Sequence, residues 1–213
     1  GFLDVEKFRT YHGLGHFSGG IQGEFMYRAS GEFSAPTFGI FTRLSGDNYE
    51  SRLRDGSRRS VGLTLRNPLT DRINLYTAIA NQARTGKSAV FSTRDNALRM
   101  NLDYVVDAGQ TVYFTGEYRK GDIVSSGLPS LAKLDMSDRF VLDDVFISPA
   151  FYTYRMQGKT NIFTLGYNHA LSAKDALDFA WRRAQSTPDK IPAFAAPPRY
   201  VDNLYSISYL MAF

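Results

Sequence analysis

The chain has 213 residues, enough for one domain, with 43% hydrophobic and 14% aromatic residues, a formal charge of +4 and a mean hydropathy of −0.28. No stretch is long and apolar enough to be a membrane-spanning helix, and the absence of cysteine excludes a disulfide framework or a thiolate metal site. The 25 basic residues are scattered at strand spacing rather than gathered in one run, which argues against nucleic acid as a partner.

Taken in chain order, the segments alternate with the period of two that marks β-strands. Residues 1–16 predict one strand, within Phe2 to Tyr11. Ile21, Phe25 and Tyr27 then oppose Gln22, Glu24 and Arg28. Phe38, Ile40 and Leu44 share a face opposite Phe41 and Arg43, and Val61, Leu63 and Leu65 alternate with Gly62, Thr64 and Arg66. Residues 72–84 set Ile73, Leu75, Thr77 and Ile79 against Asn74, Tyr76, Ala78, Ala80 and Gln82, with Arg84 following in the second set. Residues 97–106 set Leu98, Met100, Leu102, Tyr104 and Val106 against Arg99, Asn101, Asp103 and Val105. Residues 111–119 set Val112, Phe114 and Tyr118 against Tyr113, Thr115, Glu117 and Arg119. Residues 151–171 are too long for one clean alternation, and the phase slips near Gly158, which predicts a bulge there. Leu177, Phe179 and Trp181 oppose Asp178, Ala180 and Arg182.

Turn-rich short links are expected at residues 31–36, 67–71, 107–110 and 172–175. Long polar links are expected at 45–60, 85–96, 120–149 and 185–199. Short and long alternate along the chain, the layout of a transmembrane barrel with short turns at one end and longer loops at the other.

The final segment is the most specific. Tyr205, Ile207, Tyr209, Met211 and Phe213 form one large apolar set against Ser206, Ser208, Leu210 and Ala212. This pattern resembles the C-terminal strand of bacterial outer-membrane β-barrels, which ends in Phe. The resemblance implies that these five residues are the signal read by the barrel-assembly machinery, with the C-terminus periplasmic and the long loops extracellular. It also implies outer-membrane lipid and lipopolysaccharide as surroundings. A cysteine-free chain suits passage through an oxidising periplasm. A start at Gly1 reads as a mature or trimmed product. The expectation is a single all-β domain over residues 1–213, a transmembrane antiparallel up-and-down β-barrel of about 10 strands, with 8–12 open. Membership in a longer chain stays open too.

If the apolar sets face lipid, the interior carries Arg28, Arg43, Arg66, Arg84, Arg99, Arg119 and Arg182 with Glu24, Asp103, Glu117 and Asp178. Such an arginine excess makes either a salt-bridged filled core or a narrow water-filled passage favouring anions. Which of the two holds depends on whether a loop, above all 120–149, folds inward. Tyr27, Tyr104, Tyr118, Tyr167, Trp181 and Tyr209 fit interfacial girdles or cross-strand packing.

Signals for chemistry are sparse. His16-Phe17-Ser18 resembles the His-x-Ser arrangement of outer-membrane phospholipase and lipid A deacylase barrels, which marks His16 and Ser18 as candidate catalytic residues, without a nominated orienting partner. Thr85-Gly86-Lys87-Ser88 lacks the upstream glycine of a phosphate loop. Asp135, Asp138, Asp143 and Asp144 fall in a predicted loop, where solvation is expected rather than calcium. No cofactor and no metal are expected. The primary expectation is a narrow pore or passive conduit with small anionic solutes as cargo. Alternatives are a filled barrel that anchors a protein partner or forms a homo-oligomer, a lipid-modifying enzyme, and a soluble ligand-binding barrel or sandwich with apolar side chains inside.

Overall fold

Alternation along most of the chain becomes one antiparallel up-and-down sheet holding 70% of the residues in strands. The structure is a computed structural model that describes residues 1–147, 150–196 and 198–211. The strands are β1 (Phe2–Glu6), β2 (His16–Arg28), β3 (Thr37–Tyr49), β4 (Gly56–Pro68), β5 (Ile73–Gly86), β6 (Thr93–Asp107), β7 (Gln110–Gly127), β8 (Arg139–Ile147), β9 (Ala150–Ala170), β10 (Asp175–Pro188) and β11 (Tyr200–Met211). One short helix, α1 (Leu131–Met136), and 3-10 turns at His12–Leu14, Arg52–Arg54 and Ala89–Phe91 lie between them. Each strand pairs with its sequence neighbour, except that β7 pairs β9 and β8 lies off the path, also on β9. The sheet is not closed. Among the described residues β1 is paired only to β2, and β11 only to β10.

The expected phase slip at Gly158 is not a bulge. β9 runs unbroken, its ladders to β7 and β10 in continuous register. What changes is the environment of its faces. Below Gly158 the exposed apolar residues are odd-numbered, Phe163 and Leu165, with Ile162 buried on the other face; above it the apolar residues Tyr154 and Met156 are even-numbered and fully buried. Gly158 is in register with Gly121, whose φ is 153°. A side chain at either position would meet backbone: a Cβ on Gly121 would lie 2.2 Å from the Arg94 oxygen, and one on Gly158 2.6 Å from the Thr187 oxygen. Here the ribbon of β7 and β9 outgrows β6 and extends beyond it.

The link expected at 120–149 is overturned for the same reason. β7 continues to Gly127, α1 follows, and Arg139–Ile147 is a strand. The sharp contrast of short and long links also fades. The links reduce to 50–55 and 87–92 on the expected long side against 29–36 on the expected short side, while 189–199 stays long and 69–72, 108–109 and 171–174 stay short. Polar residues such as Ser45, Asp47, Ser57 and Arg58 continue the ladder, because main-chain hydrogen bonds rather than apolar burial hold it. The N-terminal strand stops at Glu6, well short of Tyr11.

Candidate functional site

One face of the sheet is apolar and exposed. Ile40, Leu63, Ile79, Met100, Phe114 and Leu165 all stand on it and are exposed. Tyr205, Ile207, Tyr209 and Met211 are likewise exposed on β11, where Tyr209 donates to Asp175 at 2.9 Å; Phe213 lies outside the described residues. A polar line bounds this band toward the 3-10 turns: Asn81, Asn96, Lys120 and Lys159 are successive ladder partners on four strands. Tyr104, Val112, Tyr167 and Phe179 form a matching line toward the other end. The girdle candidates Tyr27 and Tyr118 are also exposed, whereas the Trp181 indole nitrogen is buried without a partner.

The opposite face bounds a cavity of ≈ 950 Å³ lined by residues of β1 to β7. Small side chains in mid-wall (Ala78, Ala80 and Ala97) leave this space open. Seven arginines line it (Arg43, Arg58, Arg59, Arg66, Arg84, Arg99 and Arg119) against five carboxylates (Asp4, Glu24, Asp95, Asp103 and Glu117). Arg66 donates to Glu24 at 2.7 Å, and Thr64 donates to the other oxygen of the same carboxylate at 2.9 Å. Arg119 pairs with Glu117. Arg58 is held by the buried carboxylate of Asp47, which accepts from Nη2 at 2.9 Å. Among the described residues no carboxylate lies in ion-pair range of Arg43, Arg84 or Arg99. Arg43 stacks 4.1 Å over Phe2, and Arg84 lies 5.1 Å over Tyr49 with its Nε buried and unpartnered. Arg58 and Arg84 are direct ladder partners, a like-charge juxtaposition that disfavours the bare wall.

Eight of the eleven residues expected inside line this cavity: Glu24, Arg43, Arg66, Arg84, Arg99, Asp103, Glu117 and Arg119. Three do not. Arg28 ends β2 and donates to the Glu32 carbonyl of the following link at 2.8 Å. Asp178 and Arg182 belong to β10, on the arm of the sheet beyond the cavity. Asp178 accepts from the Tyr113 hydroxyl at 2.9 Å, and Tyr113 itself lies across Gly166. Arg58 and Asp47 were hidden by the link expected at 45–60; extending the alternation of Ser60, Gly62 and Thr64 by one step reaches Arg58.

His16 and Ser18 share one ladder face of β2. Ser18 is buried in the cavity wall. His16 stacks on Tyr49 at 4.6 Å between Asp4 and Glu6, at 3.8 and 3.7 Å, and its buried Nδ1 makes no hydrogen bond. No hydrogen bond joins it to Ser18, so the pair lacks the serine–base contact that nucleophile activation uses. Lys87, in the phosphate-loop-like run, is paired with Asp55, whose carboxyl it holds below the ordinary range with help from the Tyr49 amide.

Of the carboxylates expected in a solvated loop, Asp135, Asp138 and Asp144 are exposed while Asp143 is buried, and each lies beside a cation, so that they fasten residues 128–147 across one end of the sheet. Asp143 is fully buried and bound by Arg54 Nη2 at 2.9 and 2.8 Å, by Ser126 and by Thr153. Asp144 accepts from Ser51 at 2.7 Å, Asp138 lies 3.7 Å from Arg155, and Asp135 pairs with Lys190 at 3.0 Å. Arg155 in turn donates to the Ala89 and Ser92 carbonyls. Phe146 meets Tyr11 edge-on at 4.8 Å. On the other side of the ribbon Met136 of α1 packs with Tyr154 and Met156, with Ile123 and Tyr200 around them. This segment therefore touches the β1–β2 link and both 3-10 turns beyond it, and the cluster it completes with β9 packs against Tyr200 at the start of β11.

The fold and this cavity define an up-and-down all-β protein, apolar on its outer face and arginine-rich on its inner one. Comparison of the chain with protein-family models, curated proteins and solved structures gives no match.

Proposed function

We propose that the protein is a transmembrane β-barrel of a bacterial outer membrane, and that its interior is a narrow passage favouring small anionic solutes. One observation carries the reading: large apolar side chains are exposed along the strands while guanidinium groups line the opposite, hollow face. In water such a band would be a large unfavourable apolar patch; against acyl chains it is the ordinary solvent-facing wall. From Leu98 to Val106 the band runs about 26 Å along β6 at about 3.3 Å per residue, near the ~25 Å of an outer-membrane apolar belt before tilt. Closure of β1 against β11 belongs to the proposal, since a bilayer leaves no water to satisfy a bare strand edge. So do outer-membrane lipid and lipopolysaccharide as surroundings, extracellular loops and a periplasmic C-terminus. The run from Tyr205 to Phe213 is proposed as the segment read by the assembly machinery.

Reconstitution into planar bilayers tests the passage. Steady conductance with anion preference is expected, and Arg99→Ala or Arg119→Ala should weaken that preference, because rings of arginine select anions. A silent membrane at high protein load would remove the proposal. A second reading has an observation in its favour. Residues 128–147 fold over the loop end, which suits a filled barrel that displays its loops to a partner or a second copy.

A further inference from the structure

We infer that residues 128–147 form a strap that shuts the loop-end mouth of the cavity, latched by the Arg54–Asp143 pair, and that it lifts to admit solute. The inference rests on the passage reading above. A connection that merely joined β7 to β9 could do so as a hairpin, because Gly127 already faces Tyr152 across the ladder. The chain instead makes an excursion of a helix and a strand.

How the excursion is attached separates a latch from ordinary framework. β8 pairs with β9 from Arg139 to Leu142, and then its ladder is interrupted until Ile147. The residues in the gap hold the far side of the mouth through side chains alone: Asp143 to Arg54, Asp144 to Ser51, and Phe146 against Tyr11. Releasing them breaks no backbone ladder. A buried ion pair suits a switch because its hold is nearly all or none: together the partners offset their desolvation, and either alone is strongly unfavourable. The paired glycines Gly121 and Gly158 stand where the ribbon leaves the sheet, at the base of the ribbon that carries the strap.

The lock can be made covalent. A Cβ at position 13 would lie 3.4 Å from the Val145 Cβ, close to disulfide geometry, and the chain has no native cysteine. We would compare the full chain with Arg54→Met, Asp143→Asn and the pair Gly13→Cys, Val145→Cys in planar bilayers. A second measurement, independent of conduction, is maleimide labelling of Met156→Cys, a position fully buried beneath α1. The expected result is severalfold higher conductance and faster labelling in Arg54→Met and Asp143→Asn. The disulfide variant should conduct little when oxidised and recover on reduction. Equal conductance and labelling in latched, unlatched and cross-linked forms would overturn the strap. Faster labelling on a silent membrane would keep the strap as a moving element and remove the passage reading alone.

Discussion

Asp143 has no exposed surface and lies among Arg54, Ser126 and Thr153. Burial alone would raise its pKa, but hydrogen bonds from Thr153, Arg54 and the Val145 amide outweigh it and hold the carboxyl below the ordinary range. A carboxylate with a lowered folded-state pKa contributes stability above its unfolded value, lost as pH falls through the folded one. The latch should therefore survive mild acid. Urea midpoints in detergent should stay flat from neutrality to the ordinary carboxylate range and drop only below it; a drop complete near pH 6 would contradict the pairing. Removing one partner, as in Arg54→Met, should cost about 3–5 kcal/mol, and Arg54→Met with Asp143→Leu together should recover most of that loss. Gly166 offers a second test at this scale. A Cβ there would lie 2.0 Å from Tyr113 Cζ, so Gly166→Val should cost about 1–3 kcal/mol by overpacking, relieved when Tyr113→Ala is added. Neither feature was legible in the sequence. Arg54 and Asp143 are 89 residues apart, and no local pattern announces their meeting, whereas Arg99 and Arg119 were legible because they sit within an alternating strand.

Strand cores were readable because their two faces meet different surroundings; strand ends were not, because there both faces are polar. β3 and β4 continue through Asp47 and Gly56 after the apolar alternation has stopped. β9 shows the converse. Its apolar pattern changes phase while its backbone register does not, since above Gly158 both faces are covered, the one carrying Tyr154 and Met156 by α1 and the one carrying Thr153 by Asp143 of β8. Periodicity reports the environment of a face, and it reports register only where that environment is constant. The outer band can be tested in these terms. Met100 lies mid-band on β6 and Asn96 lies on the polar line. For a barrel refolded into vesicles, Met100→Arg should cost about 2–4 kcal/mol and Asn96→Arg about 0–1. In a protein whose band faced water both changes would be nearly neutral, since Met100 is 50% exposed.

At the scale of the whole molecule, β1 and β11 each show one unpaired edge, yet the ribbon of β7 and β9, with the segment 128–147 that it carries, meets both ends of the sheet. Phe146 packs on Tyr11 after β1, and the Met136–Tyr154–Met156 cluster takes in Tyr200, the first residue of β11. The sheet is thus curled far enough for the ribbon and the segment on it to meet both its first link and its last strand. The direction of the edges suits closure. Ten strands lie on the hydrogen-bonded path, each antiparallel to the next, so the first and last run in opposite senses and can pair as antiparallel neighbours. In lipid, two bare edges would leave donors and acceptors unsatisfied at several kcal/mol each, a cost that closure removes. Val5 is exposed on β1, and Val201, Asn203 and Tyr205 occupy its counterpart positions near the start of β11. With Val5→Cys fixed and a cysteine moved through those three positions, oxidation of the vesicle-inserted protein should trap one pair efficiently and its neighbours poorly, read as a mobility shift on unheated gels. Urea-unfolded protein should show no such preference. Uniformly poor cross-linking at all three positions in the bilayer would mean that the edges stay apart, and the barrel reading would fail with them.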